Sequence, residues 1–153
     1  MEIREITDYE VMLALEVFNR EFKKRVLGDN IQLQEKFVAE RPKRNKEILQ
    51  DYIDGKVKIF GLYLDDGTFA GTVMLDGDKI RHLAIRKYWH NMGYGTALLN
   101  YVCDYAKKQG LKKVRVEAIG KSLPLYERNG FKIVGDLVTE EGNYPNVKLE
   151  KEL

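Results

Sequence analysis

With a single cysteine, Cys103, this 153-residue chain has no means of forming an internal disulfide. No apolar run approaches the ~20 residues that span a bilayer, and the opening stretch MEIREITDYE lacks the apolar core of a secretory leader. Net charge is nearly absent too: 26 lysines and arginines stand against 24 aspartates and glutamates, +2 in all. No global field therefore argues for nucleic acid or an anionic membrane as partner. Internal repeats, linkers and low-complexity tracts are also missing. These absences predict a reducing, cytoplasmic setting, no nucleic-acid or membrane partner, and a function carried by a local site. What the chain does have is apolar mass, 44% hydrophobic residues, and a length that predicts one domain over residues 1–153 with a sizeable core.

Residues 1–6 predict a short strand. Thr7 stands three residues before Glu10, an arrangement in which two side chains cap a helix start reciprocally. Val11, Leu15, Phe18 and Phe22 then follow on one helical stripe. A second helical region over 32–54 is expected to break near Pro42, because proline lacks the amide and clashes with the preceding turn. Within it RPKRNK (41–46) is basic, either a solvated face or a contact for an acidic ligand or cofactor phosphate.

From residue 56 the segments VKIFGLYL, TFAGTVML and KIRHLAI, divided by DDG and DGD, predict an antiparallel meander. Its last strand runs into LAIRKYWHNMGYGTALLNYV (83–102), which predicts a helix over 94–109 ended by Gly110. KKVRVEA reads as a strand, 122–128 as a short helix stopped by Asn129 and Gly130, and FKIVGDLV and NVKLEKEL as two final strands. The predicted fold class is α/β (α+β): a mixed, mostly antiparallel central sheet of about seven strands flanked by about four helices, in the order β-α-α-β-β-β-α-β-α-β-β. The middle strand–helix–strand unit should be a right-handed crossover between parallel strands.

Gly93 and Gly95 lie where that crossover helix begins. A helix start offers unpartnered amides and about half a positive charge, and glycine leaves those amides open to close approach. Phosphate is the natural occupant, although a tight turn alone also explains the pair. A nucleotide-binding loop of the form G-x-x-x-x-G-K-[ST] is absent, and a dinucleotide fingerprint fails because Leu98 holds its third glycine position.

LAIRKYWHNMGYGTALL resembles the acyl-coenzyme A signature of the GNAT superfamily of N-acetyltransferases, in which a strand leads to [RQ]-x-x-G-x-[GA] and a helix. PLYERNGFKIVG (124–135) is similar to that superfamily's second marker, at the right separation from the first, and the order of elements agrees over most of the chain. The resemblance implies an acetyl-CoA-dependent N-acetyltransferase that uses no metal. Its amine acceptor would be a small molecule or a peptide, and a homodimer is left open. It also implies that backbone amides of His90, Asn91, Met92, Gly93, Tyr94, Gly95 and Thr96 cradle the coenzyme A pyrophosphate. Leu83, Ala84 and Ile85 would offer backbone groups to the pantetheine arm where the fourth and fifth strands splay, and Tyr126 would protonate the departing thiolate. A non-catalytic acyl-CoA sensor is the alternative.

The chain departs from the pattern at His90, which replaces arginine or glutamine, and at Lys87, where proline is frequent. A histidine beside phosphate binds best when protonated, so acetyl-CoA affinity should fall from pH 6 to 8; the alternative is a surface histidine, with Arg86, Lys87 or backbone amides holding the phosphate. Strand alternation sets His82 opposite Arg81, Leu83 and Ile85, as a half-buried structural residue or a general base. Glu117, Asp76 and Asp78 are the other candidate bases. Cys103 shares a helix face with Leu99 and Ala106 and reads as core. Tyr88, Trp89 and Tyr94 surround the glycine turn, as packing or as ligand contacts. The acceptor pocket is expected from about residues 22–41 and 137–147.

Overall fold

The computed structural model describes residues 1–138 and 144–153. In chain order the elements are β1 (Glu2–Glu5), α1 (Val11–Glu21), α2 (Ile31–Ile53), β2 (Val57–Tyr63), β3 (Phe69–Asp76), β4 (Lys79–Ile85), α3 (Tyr94–Lys108), β5 (Lys113–Ile119), α4 (Leu123–Arg128), β6 (Lys132–Ile133) and β7 (Asn146–Glu152). The strands form one sheet ordered β1-β2-β3-β4-β5-β7-β6. Every pairing is antiparallel except β4 with β5, which the α3 crossover makes parallel. The predicted fold class and order of elements are therefore those observed.

Alternation along the strands builds a core on each face of the sheet. Phe60, Leu62, Val73, Val114, Val116 and Leu149 pack against Leu98, Leu99, Val102, Cys103 and Ala106 of α3, and all are buried. Truncating a fully buried leucine such as Leu98 to alanine costs about 2–5 kcal/mol. On the opposite face Val57, Ile59, Met74 and Ala84 meet Val11, Leu15, Phe18 and Phe22, the stripe expected of the first helix, together with Phe37 and Ile48 of α2. The entry to α1 is fastened as Thr7 and Glu10 predicted: the Glu10 carboxylate accepts from the Thr7 amide at 2.9 Å and the Thr7 hydroxyl at 2.6 Å. Burial raises the Cys103 thiol, as befits a core residue.

The fold corrects the sequence reading in three places. Helix α2 runs unbroken through Pro42. Pro42 and Val38, whose carbonyl loses its intrahelical donor, are both exposed, so water can serve that carbonyl and the helix continues. The strand expected over 131–138 shrinks to β6 plus a single bridge from Val138 to Asn146. Ile133, Val134 and Leu137 stay exposed, and without burial on either face an edge segment containing Gly135 gains little from extending.

The third correction is a bulge in β4. Thr72 pairs with Ala84 and Met74 with Arg81, so Val73 alone faces two residues, His82 and Leu83. His82 takes a left-handed φ of 55°. Alternation therefore resets: Ile80, Leu83 and Ile85 pack toward α3, whereas His82 stacks on Phe18 of α1. Arg81 does not share a face with Leu83 and Ile85.

Candidate functional site

The site begins where β4 and β5 part. Their register holds at one pair, Lys79 with Arg115, backed by the Arg115 amide donating to the Asp78 carbonyl at 2.9 Å. Beyond that point the β5-facing edge of β4, including Leu83, Ala84 and Ile85, has no strand beside it. The bulge lies in the same stretch, and the extra residue of a bulge leaves its backbone out of the ladder. An opening at the carboxyl ends of adjacent parallel strands is where α/β sheets bind ligands.

The turn that follows β4 carries the glycine pair. Asn91 has φ 61° and Gly93, the N-cap of α3, has φ 79°. No side chain caps the helix. Ala97 is the first residue whose amide reaches back, to the Gly93 carbonyl at 3.0 Å, so the amides of Tyr94, Gly95 and Thr96 lack intrahelical acceptors. A β-carbon added at Gly93 would meet nothing within 4 Å, and one at Gly95 only Leu125 at 3.5 and 3.7 Å. Such a bare, uncapped helix start matches what a phosphate requires. Asn91, Met92 and Gly93 are exposed, and Thr96 is tied to the second marker by Asn129, whose side-chain amide donates to the Thr96 hydroxyl at 3.2 Å.

His90 turns inward from this turn. Its Nε2 contacts the Ile85 carbonyl and lies 3.1 Å from Glu21 Oε1 at the end of α1, while Nδ1 is buried. Neither ring nitrogen faces outward, so the side chain braces β4 against α1 and leaves contact with a ligand to the backbone. Trp89 and Tyr94 pack partly onto the α3-side core, and Tyr88 is exposed.

A cavity of about 630 Å³ opens on the α1–α2 face of the same split. Phe18, Phe22, Phe37 and Tyr144 form an aromatic wall with ring centroids 4.9–6.5 Å apart in the touching pairs. Helix α1 loosens into a π turn at Phe22–Val26 beside it, a distortion frequent at functional sites. The π turn rests against the turn Gly120–Ser122: a β-carbon at Gly120, φ 59°, would lie 2.5 Å from the Val26 carbonyl oxygen. Only glycine allows that approach. Tyr126 reaches the cavity from α4, packed edge-on against Phe131. Burial pushes its phenol well above the ordinary tyrosine value, so it stays protonated.

The candidate bases are each tied to a cation. Glu117 pairs with Lys79 at 2.9 Å, Asp76 with Arg81 at 2.8 Å and Asp78 with Arg115 at 2.8 Å. Burial would raise the Glu117 carboxyl, but the Lys79 hydrogen bond and charge bring it below its usual range. Burial, with Arg41, Arg81, Arg44 and Lys79 around it, drives His82 well below the ordinary histidine value. It is neutral, and its Nδ1 has no partner among the described residues. Among the described residues no cluster of three or more histidine, cysteine, aspartate or glutamate side chains is placed to share a metal ion, and no helix is long and apolar enough to cross a membrane.

Of the expected pocket segments, 22–41 lines the cavity through Phe22, Phe37 and Arg41, whereas residues 139–143 of the later segment lie outside the described chain. The bulge at His82 had no sequence signal, since histidine is not a residue that marks left-handed backbone as glycine does. The aromatic wall was visible only as an apolar stripe.

A family model described as an acetyltransferase (GNAT) domain matches residues 15–153. A curated relative, "Probable N-acetyltransferase 14" of Xenopus tropicalis, is 25% identical over 99 residues, 59% of this chain and 48% of that protein. The chain thus spans about half the length of the curated relative it matches. A GCN5-related N-acetyltransferase of Rhodopseudomonas palustris superposes with a TM-score of 0.82 at 18% identity, covering 99% of this chain and 95% of that one. The PaiA N-acetyltransferase of Thermoplasma acidophilum, solved in complex with coenzyme A, gives 0.77 at 19% identity, covering 99% and 98%.

Proposed function

This chain belongs to the acetyltransferase (GNAT) domain family, and on that premise we propose that it moves an acetyl group from acetyl-CoA to a primary amine by direct attack within a ternary complex. The observation that carries the reading is the conjunction at the end of β4: a strand edge open beyond Lys79, followed by the uncapped amides at the start of α3. The fold shared with a relative solved with coenzyme A supports it.

Acetyl-CoA supplies an already activated thioester carbonyl, so the chain's task is to hold, polarise and supply a proton. In this reading the amides of Met92, Gly93, Tyr94, Gly95 and Thr96 hold the pyrophosphate. Asn91 shapes the turn through its left-handed backbone and His90 anchors it from beneath. Leu83, Ala84 and Ile85 offer main-chain groups from the open edge. A backbone amide of β4 donates to the carbonyl oxygen as it gains charge. Tyr126, neutral because it is buried, gives its proton to the departing sulfur.

Thermal unfolding with acetyl-CoA, free coenzyme A, ATP and NAD tests the proposal. At 100 times its Kd a ligand adds ~2.7 kcal/mol, about 5–10 °C for a domain of this size. A rise with acetyl-CoA and coenzyme A alone, followed by coenzyme A release with an amine panel, is the expected result. No rise, or a rise shared equally by ATP, overturns it.

A further inference from the structure

The cavity on the α1–α2 face holds a cation that no carboxylate among the described residues neutralises. Around it, Lys79 is paired with Glu117, Arg81 with Asp76 and Arg44 with Glu47, each at 2.8–2.9 Å, while Glu40, which faces Lys36 at 3.8 Å, and Lys43 line the cavity as exposed residues. Arg41 lies in the same wall, half-buried, with no carboxylate within 4 Å among the described residues. Its guanidinium sits over two rings of the aromatic wall, 5.0 Å from Phe37 and 5.4 Å from Phe18. One nitrogen donates to Asn45 Oδ1 at 2.9 Å, and Nε is buried without an acceptor. Desolvation, with Arg44 and Arg81 nearby, lowers Arg41 to about 10, so it is charged at neutral pH. A half-buried guanidinium with unused donors is held at a cost unless something completes its fork. The Phe18 ring also stacks on His82 at 4.0 Å, so one side chain connects the Arg41 end of the cavity to the β4 bulge.

We propose that the acceptor is an amine that also carries a carboxylate on an aromatic or branched apolar body, an amino-acid-like molecule whose carboxylate is received by Arg41. This rests on the acetyltransferase reading and narrows it. One uncompensated guanidinium matches one monoanion in charge, and its planar fork matches a carboxylate in shape. The four aromatic rings bury the apolar body, and the amine is directed toward the bulge and Tyr126. A polyamine is disfavoured, because it would bring further cations into a wall whose free charge is positive.

The test uses the full chain, with and without coenzyme A, and three small probes: 3-phenylpropionate, phenethylamine and spermidine. The first two share a phenyl group and differ in charge. 3-Phenylpropionate should raise the unfolding midpoint of the wild type, and the two amines without a carboxylate should not. In Arg41→Gln the apparent affinity for 3-phenylpropionate should fall at least tenfold while the shift with acetyl-CoA is unchanged, which also shows that the variant is folded. An equal or larger effect of phenethylamine or spermidine, no effect of 3-phenylpropionate, or an Arg41→Gln protein that keeps it, overturns the proposal. A protein that binds 3-phenylpropionate through Arg41 but ignores acetyl-CoA would instead remove the acetyltransferase reading and leave the anion site standing.

Discussion

Replacing Gly93 with alanine separates backbone strain from crowding. Gly93 caps α3 at φ 79° and ψ 6°, and an added β-carbon would meet no atom within 4 Å. Any loss of stability is therefore conformational, and a left-handed backbone costs a non-glycine residue about 1–2 kcal/mol. With ~2–4 °C per kcal/mol for a domain of this length, the unliganded Gly93→Ala protein should unfold roughly 2–8 °C below the wild type. Relief of that strain rotates the turn and carries the α3 amides out of line. A tenfold weaker grip on acetyl-CoA cuts the stabilisation at 100 times the wild-type Kd from ~2.7 to ~1.4 kcal/mol, so the ligand-induced shift halves. Gly95→Ala is the internal comparison. Its backbone is not left-handed, its new β-carbon makes ordinary contact with Leu125, and the signature itself admits alanine there. The substitution should add about 0.5–1 kcal/mol, or ~1–4 °C, and keep the acetyl-CoA shift. Thermal unfolding of the three proteins with and without acetyl-CoA decides the matter. A Gly93→Ala protein as stable as the wild type, or one with the full acetyl-CoA shift, refutes the reasoning.

Tyr126→Phe should lower turnover at least ~tenfold while leaving acetyl-CoA binding and the midpoint in place, because the Tyr126 hydroxyl has no hydrogen-bond partner to lose among the described residues. Unchanged coenzyme A release would take Tyr126 out of the mechanism. The pH dependence of kcat/KM should follow the acceptor amine, rising to a plateau without an inflection near ~6.5 from His82, which is held neutral. An inflection there that disappears in His82→Asn, a substitution compatible with left-handed backbone, contradicts this. At the entry to α1, desolvation alone would raise the Glu10 carboxyl, but hydrogen bonds from Thr7 and Tyr63 hold it down at about 2. A depressed carboxylate stabilises the fold above its unfolded value of ~4.3, and that contribution drains away as pH falls through 2. The stability difference between wild type and Glu10→Gln, about 1–2 kcal/mol near neutrality after solvent screening, should therefore shrink from pH 5 downward in denaturant titrations. A constant difference would count against it.

The elements legible in the sequence are those whose local pattern and burial agree. Val11, Leu15, Phe18 and Phe22 repeat at helical spacing and are all buried; the meander strands are bounded by DDG and DGD; Gly93 and Gly95 mark the bare helix start. What stayed hidden depends on the environment rather than the pattern. Whether Pro42 breaks a helix depends on whether the orphaned Val38 carbonyl faces water. The bulge at His82 arises from register with β3, which no property of KIRHLAI encodes. His90 was read as outward because it sits at a phosphate-signature position, yet the Ile85 carbonyl and Glu21 draw it under the turn. Arg41 lies inside a basic run that reads equally as a solvated face or as a contact for an acidic ligand. Its difference from Lys43 and Lys46 appears only once Phe18 and Phe37 flank it.

The proposed acetyl transfer would, with these placements, manage its protons without a dedicated base. Direct attack needs a neutral amine, yet Glu117, Asp76 and Asp78 are each held by a cation, and His82 is too destabilised in its charged form to keep a proton it accepts. In the proposed complex Lys79, Arg81 and Arg44 are each paired with a carboxylate of the protein and Arg41 with that of the acceptor, so the wall orients the acceptor and leaves its ammonium group to lose a proton to solvent. In this reading only the proton destined for sulfur comes from the protein, where Tyr126 is the buried group that stays protonated.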